Sequence, residues 1–131
     1  MHALKPAALL LALTLSGHTR ADDQATPQPL PDQIAYLTSI SMPTMQSACA
    51  TVYPSFGGVL GDLYAGWLPN HQAQVDTGRQ AQQSLLAPNQ SIEQWEQDTV
   101  AAVKSQFESL PRDRQEKRCF GLFSTLSNKA K

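Results

Sequence analysis

Residues 91–111 read SIEQWEQDTVAAVKSQFESLP, and this stretch decides the fold class. Ile92, Trp95, Thr99, Val103, Phe107 and Leu110 recur at intervals of three and four, which places them on one side of a helix. Ser91 and Gln94 have capping-box spacing, a hydroxyl for a first-turn amide and a side chain that reaches back to the cap. Glu93 beside that N-terminus suits the positive end of the helix dipole. Pro88 lies before the stretch and Pro111 ends it.

Working outward from this helix, the same period returns on both sides. Pro111 starts a last helix in which Cys119, Leu122, Phe123 and Leu126 face inward, while Arg112 with Glu116 and Asp113 with Lys117 are spaced to pair on the solvent side. Upstream, residues 70–86 are polar and Gln-rich, with Val75, Leu85 and Leu86 as anchors, so this segment is the most exposed helix expected. Pro69 is expected to separate it from a helix capped by Ser55, whose stripe is Phe56, Leu60, Leu63 and Trp67 with Val59 and Tyr64 at the edges. Gly57, Gly58, Gly61 and Gly66 in that helix each weaken it relative to alanine, so their use suggests close approach by a neighbouring helix. They do not form a phosphate-cradling loop, since no Lys-Ser/Thr follows and no strand precedes. Earlier still, Ile34, Leu37, Ser41, Met45, Ala48 and Val52 describe one face. Pro43 predicts a break near residues 40–42, with Ser41 capping a second piece that Pro54 ends.

No segment alternates with period two and no internal repeat is visible. The expected fold is all-α: a small antiparallel bundle of four to five proline-interrupted helices closed by one disulfide. Cys49 and Cys119 are the only cysteines, and they close a loop of 71 residues counted inclusively. In the chain-entropy model, such a loop contributes about 4 kcal/mol. A redox-active pair would instead have the close Cys-x-x-Cys spacing.

The first residues have the layout of a secretory signal. Lys5 supplies the charge, Ala7 to Leu15 the apolar run, and Ser16 to Ala21 the small or polar end. The run has about half the length that a membrane-spanning helix needs. Thr19 and Ala21 favour cleavage before Asp22, and cleavage after Ala25 is a weaker option. Leu15-Ser16-Gly17 resembles the start of a lipoprotein box, but His18 stands where the lipidated Cys belongs. The domain reading is residues 1–21 secretory signal peptide, 22–31 flexible lead-in with three prolines, and 32–131 one helical domain. The expected location is the bacterial periplasm or exterior, with no stable membrane anchor.

Cleavage leaves 110 of the 131 residues, enough for one small core. It removes Lys5 and Arg20 but no acid, so the formal net charge moves from −1 to −3. Residues 22–110 hold two cations and nine acids, whereas residues 111–131 hold six cations and two acids. That is a basic element on an acidic body, and nothing in it demands nucleic acid.

Candidates for chemistry are few. His2 and His18 leave with the signal, so His71 alone remains, and a clustered His/Cys zinc site is excluded once the thiols are paired. A Ser-His-Asp arrangement would need His71 with Asp76 and a serine such as Ser84. Paired carboxylates would come from Asp62, Asp76, Glu93 and Glu96, all of which read as helix-surface acids. There is no nucleophile elbow, haem-attachment motif or dinucleotide fingerprint. No catalytic residue, metal ligand or cofactor is therefore assigned. Trp67, Trp95, Tyr64, Phe107 and Phe123 sit at core spacing.

The functional expectation is an exported, non-enzymatic protein that binds another protein, as an inhibitor, immunity factor or adaptor does. The alternatives are a binder of small apolar ligands or lipids in the bundle interior, and a hydrolase of unfamiliar design. A cavity of about 300 Å³ or more lined by Trp67, Trp95 and Phe107 would mark the ligand binder. The surface singled out for binding is the turn at Trp67, Leu68, Asn70 and His71, where large apolar and hydrogen-bonding groups meet. Arg114, Lys117 and Arg118 are the candidates for an anionic partner. N-terminal sequencing of the exported protein is expected to start at Asp22; material that still begins at Met1 would overturn the export reading.

Overall fold

A computed structural model of the protein describes residues 30–128. Residues 1–29, which hold the expected signal segment and most of the expected lead-in, and residues 129–131 lie outside the described residues. Four helices form: α1 (Pro31–Val52), α2 (Pro54–Leu85), α3 (Ile92–Glu108) and α4 (Arg112–Ser127), with no strand among the described residues. Pro31, expected as the last residue of the lead-in, is instead the first residue of α1. Its fixed φ suits that position.

The expected breaks at Pro43 and Pro69 do not occur, because both prolines lie inside continuous helices. Pro43 removes the N–H that would serve the carbonyl of Ser39 one turn earlier. The Tyr64 hydroxyl of α2 donates to that carbonyl at 3.0 Å, so the missing bond is replaced from the neighbouring helix. At Pro69 the corresponding carbonyl belongs to Ala65, which is exposed and open to water. Pro54, by contrast, does separate two helices, as Pro88 and Pro111 do further on. It holds Tyr53 extended, at φ −137° and ψ 119°, and then serves as the first residue of α2, so Ser55 is not the cap. Tyr53 is the whole connection between α1 and α2.

The most extensive packing is between α1 and α2, and glycines make it possible. A Cβ on Gly57 would lie 3.1 Å from the Ala50 Cβ, and one on Gly61 would lie 2.7 Å from the Gln46 amide. At Gly78 it would collide with the Asp32 carbonyl oxygen and stand 2.7 Å from the Tyr36 Cβ. Partners on α1 fall in number as those on α2 rise, so the two helices run in opposite directions. The expected role of glycine in close approach thus applies to Gly57 and Gly61, while Gly58 and Gly66 face open space. Gly78, which the sequence reading did not single out, makes the tightest contact.

α1 also packs on α3 and α4. Tyr36 stacks on Trp95 with ring centroids 6.0 Å apart. Cys49 and Cys119 are bonded, with their Cα atoms 5.8 Å apart and both side chains fully buried. Phe56 of α2 meets Phe120 and Phe123 of α4 edge to face, each at 5.1 Å. Arg112 Nη2 donates to the Val52 carbonyl and so ties the start of α4 to the end of α1. At α3, Ser91 Oγ accepts the Gln94 N–H at 3.1 Å as expected, but the Gln94 side chain turns to Asp98 instead of completing the box. Arg112 pairs with Glu116 at 3.5 Å, whereas the expected Asp113–Lys117 pair is not among the ion pairs of the described residues.

The core contains Tyr36, Met42, Met45, Val52, Phe56, Leu60, Trp67, Ile92, Phe107 and Leu126, among others. The expected α1 face is correct at Met45 and Val52 and wrong at Ile34 and Leu37, which are exposed. In this half of α1 the contact with Gly78 turns Tyr36 inward, and the buried side shifts to Ala35 and Tyr36. No helix among the described residues is long and apolar enough to cross a membrane.

The bond from Tyr64 predicts a specific cost. Tyr64→Phe leaves the Ser39 carbonyl without its donor and is expected to lower unfolding free energy by about 1–2 kcal/mol in a urea titration. Pro43→Ala restores the backbone donor, so in that background the same change is expected to cost clearly less.

Candidate functional site

The expected Trp67–His71 turn is not a turn but one stretch of α2 passing through Pro69. Trp67 points inward and is buried, with the Tyr64 ring stacked on one side at 6.1 Å and the His71 imidazole on the other at 4.2 Å, nearly parallel to it. Spacings of three and four residues build this column on one face of the helix. The Asn70 amide donates to the Gly66 carbonyl at 3.2 Å. His71 Nδ1 lies 2.8 Å from the Trp67 carbonyl. A carbonyl only accepts, so Nδ1 carries the proton and Nε2 is the ring nitrogen left for a partner.

These groups border a groove of about 700 Å³ between α2 and the end of α4. Asp62, Gly66, Trp67, Asn70 and His71 form one wall, and Leu126 with Asn128 forms the other. Of the four residues expected at this surface, the structure brings together Trp67, Asn70 and His71. Leu68 packs against the core and is not part of the groove. Asp62 and Leu126 complete the groove and were not foreseen as binding residues. Asp62 stands four residues before Gly66 and eight before Asn70, so the helical period could have placed it on the same face.

The basic candidates are divided. Arg114, Lys117 and Arg118 are all exposed on α4, and none of them forms an ion pair within the described residues. Arg118 borders a second groove, floored by α1.

Several arrangements weighed from the sequence do not assemble. His71, Asp76 and Ser84 sit on one straight run of α2, where thirteen residues span about 20 Å, so they cannot form a triad. Ser84 donates instead to the Ala81 carbonyl, and Asp76 accepts from Gln72. Trp67, Trp95 and Phe107 border three different surface grooves. The cavity that would have marked a ligand binder is not built from them. No group of three His, Cys, Asp or Glu among the described residues is placed to hold a metal ion.

Glu93 and Glu96 are drawn together by one guanidinium rather than by a cleft. Arg79 Nε donates to Glu96 Oε1 at 2.8 Å, and its Nη2 reaches Glu93 at 3.3 Å. The Tyr36 hydroxyl donates to the same Glu96 oxygen at 2.8 Å, so this carboxylate joins α1, α2 and α3. Burial alone would raise the Glu96 carboxyl, but the bonds from Arg79 and Tyr36 outweigh it and hold Glu96 below its ordinary value. The Tyr36 phenol is pushed above its usual range, by burial first and then by the carboxylate that accepts its proton.

A folded-state carboxyl below its unfolded value stabilises the fold above the ordinary carboxylate range and loses that contribution as acid protonates it. Glu96→Gln is therefore expected to cost about 1–2 kcal/mol at neutral pH, a modest figure because Arg79 is partly exposed to solvent. It is also expected to flatten the fall of stability below about pH 4.5, the starting value of this carboxyl, in chemical denaturation followed across pH.

No protein-family model, no curated protein and no solved structure matches this chain.

Proposed function

We propose that the chain is an exported, non-enzymatic binding protein that acts on another protein, as an inhibitor, immunity factor or adaptor does. The reading places it in the bacterial periplasm or exterior after removal of residues 1–21, as a small antiparallel bundle. A buried disulfide is compatible with such an oxidising compartment. The observation that carries the reading is the groove at Trp67. Its floor joins an aromatic column to Leu126, and its rim offers the Asn70 amide, His71 Nε2 and the Asp62 carboxylate. An apolar floor with a few hydrogen-bonding groups around it suits an inserted side chain of a folded partner.

The test uses a partner captured from the protein's own compartment by the mature chain and identified by mass spectrometry. The double change Asn70→Ala and His71→Ala removes the rim groups and with them the ring stacked on Trp67, and is expected to cost about 1 kcal/mol of stability. Affinity for the captured partner is expected to fall by about tenfold or more. Unchanged affinity in a variant that melts normally removes this groove as the binding surface.

A further inference from the structure

The second groove shares no lining residue with the first. Its floor is α1, through Ile34, Leu37 and Met45, and its walls are Val103 of α3 and Leu122 of α4. It encloses about 380 Å³. α3 and α4 both pack on α1 and only marginally on each other, so a channel opens between them along the face of α1. Ile34 and Leu37 have the spacing of core residues, yet they are 47% and 38% exposed. An apolar strip of this kind in water marks a surface that another surface covers.

Charge identifies the class of occupant. Arg118 lines the α4 side of the channel, and Arg114 stands one turn before it on the same flank, four residues away. Within the described residues no carboxylate pairs with either guanidinium. A purely apolar occupant would strip water from Arg118 and give nothing in return, whereas a carboxylate would compensate it. A second copy of the chain docked groove to groove would bring a second Arg118 and no carboxylate, since no acidic residue lines the channel. The channel follows α1 from Ile34 to Met45, about 16 Å or three helical turns.

From this geometry we infer that the channel receives an amphipathic helix of another protein, its apolar stripe against Ile34, Leu37 and Leu122 and its carboxylates against Arg118 and Arg114. Recognition of this type reads residues at helical spacing in a groove. The inference rests on the protein-binding reading given above but not on the Trp67 groove. The channel is lined by α1 and α3, which contribute nothing to the Trp67 groove between α2 and the end of α4.

The probe is a benzophenone side chain, p-benzoylphenylalanine, incorporated at Leu37 of the full chain and activated by light in an extract of its own compartment, with a parallel sample carrying it at Asn70. The expected product at Leu37 is an adduct with a different protein, whose cross-linked peptide has apolar residues at intervals of three and four and at least one Asp or Glu beside them. Its yield is expected to fall by about fivefold or more in Arg118→Glu and in about 0.5 M salt. Circular dichroism establishes that the variant folds, and Arg118→Gln replaces it if the reversal does not. An adduct of twice the chain's mass, a cross-link within the chain, a lipid adduct, no adduct, or a yield indifferent to Arg118 each overturns the inference. A protein captured at Asn70 but not at Leu37 leaves the protein-binding reading standing and removes only this channel. Capture of no protein at either position removes both.

Discussion

The fold depends on how closely α1 and α2 approach. At Gly78 a methyl group would collide with the Asp32 carbonyl, at Gly57 it would press on the Ala50 Cβ, and at Gly61 it would displace the end of the Gln46 side chain. Gly78 lies far along α2 from the Tyr53 connection, so close packing extends over most of α1 rather than only beside the joint. That proximity turns Tyr36 toward α3 and brings the Tyr64 hydroxyl within reach of Ser39. A polar side chain thereby replaces a backbone bond that Pro43 had removed, and α1 stays whole across 22 residues.

With α1 intact, the other two helices have a common support. α3 is held on it by the Tyr36–Trp95 stack and the Glu96 bonds, and α4 by the disulfide and the Arg112 bond. They attach to different flanks, and this leaves the channel between them. The Trp67 groove has another origin, in the way the end of α4 leans on the middle of α2. The channel thus follows from placing α3 and α4 on α1, and the Trp67 groove from placing α4 on α2.

Much of the fold was legible in the residues. The α3 stripe, the Ser91 cap, the helix at Pro111 and the pairing of the two cysteines follow from spacing and parity alone. The prolines misled, because sequence shows that a proline lacks an N–H but not whether a distant tyrosine will serve the carbonyl it leaves. The same limit applies to Ile34 and Leu37. Their period is that of a buried face, and only the placing of α3 and α4 shows that the face is left open. At the candidate site, Trp67, Asn70 and His71 were found from their mixed chemistry beside a proline. Leu126 was beyond reach, since it comes from another helix with more than fifty intervening residues.

The position of the disulfide sets an order of events during synthesis. Cys119 is in α4, 70 residues after Cys49, so a ribosome must add α2 and α3 before Cys49 can meet its partner. Until then the N-terminal helical pair carries a lone, apolar-seated thiol and depends on its glycine-mediated packing for whatever persistence it has. Any chain that stops short of Cys119 leaves Cys49 unpaired. Until the bond closes, α4 is held to α1 only by non-covalent contacts such as the Arg112 bond to the Val52 carbonyl.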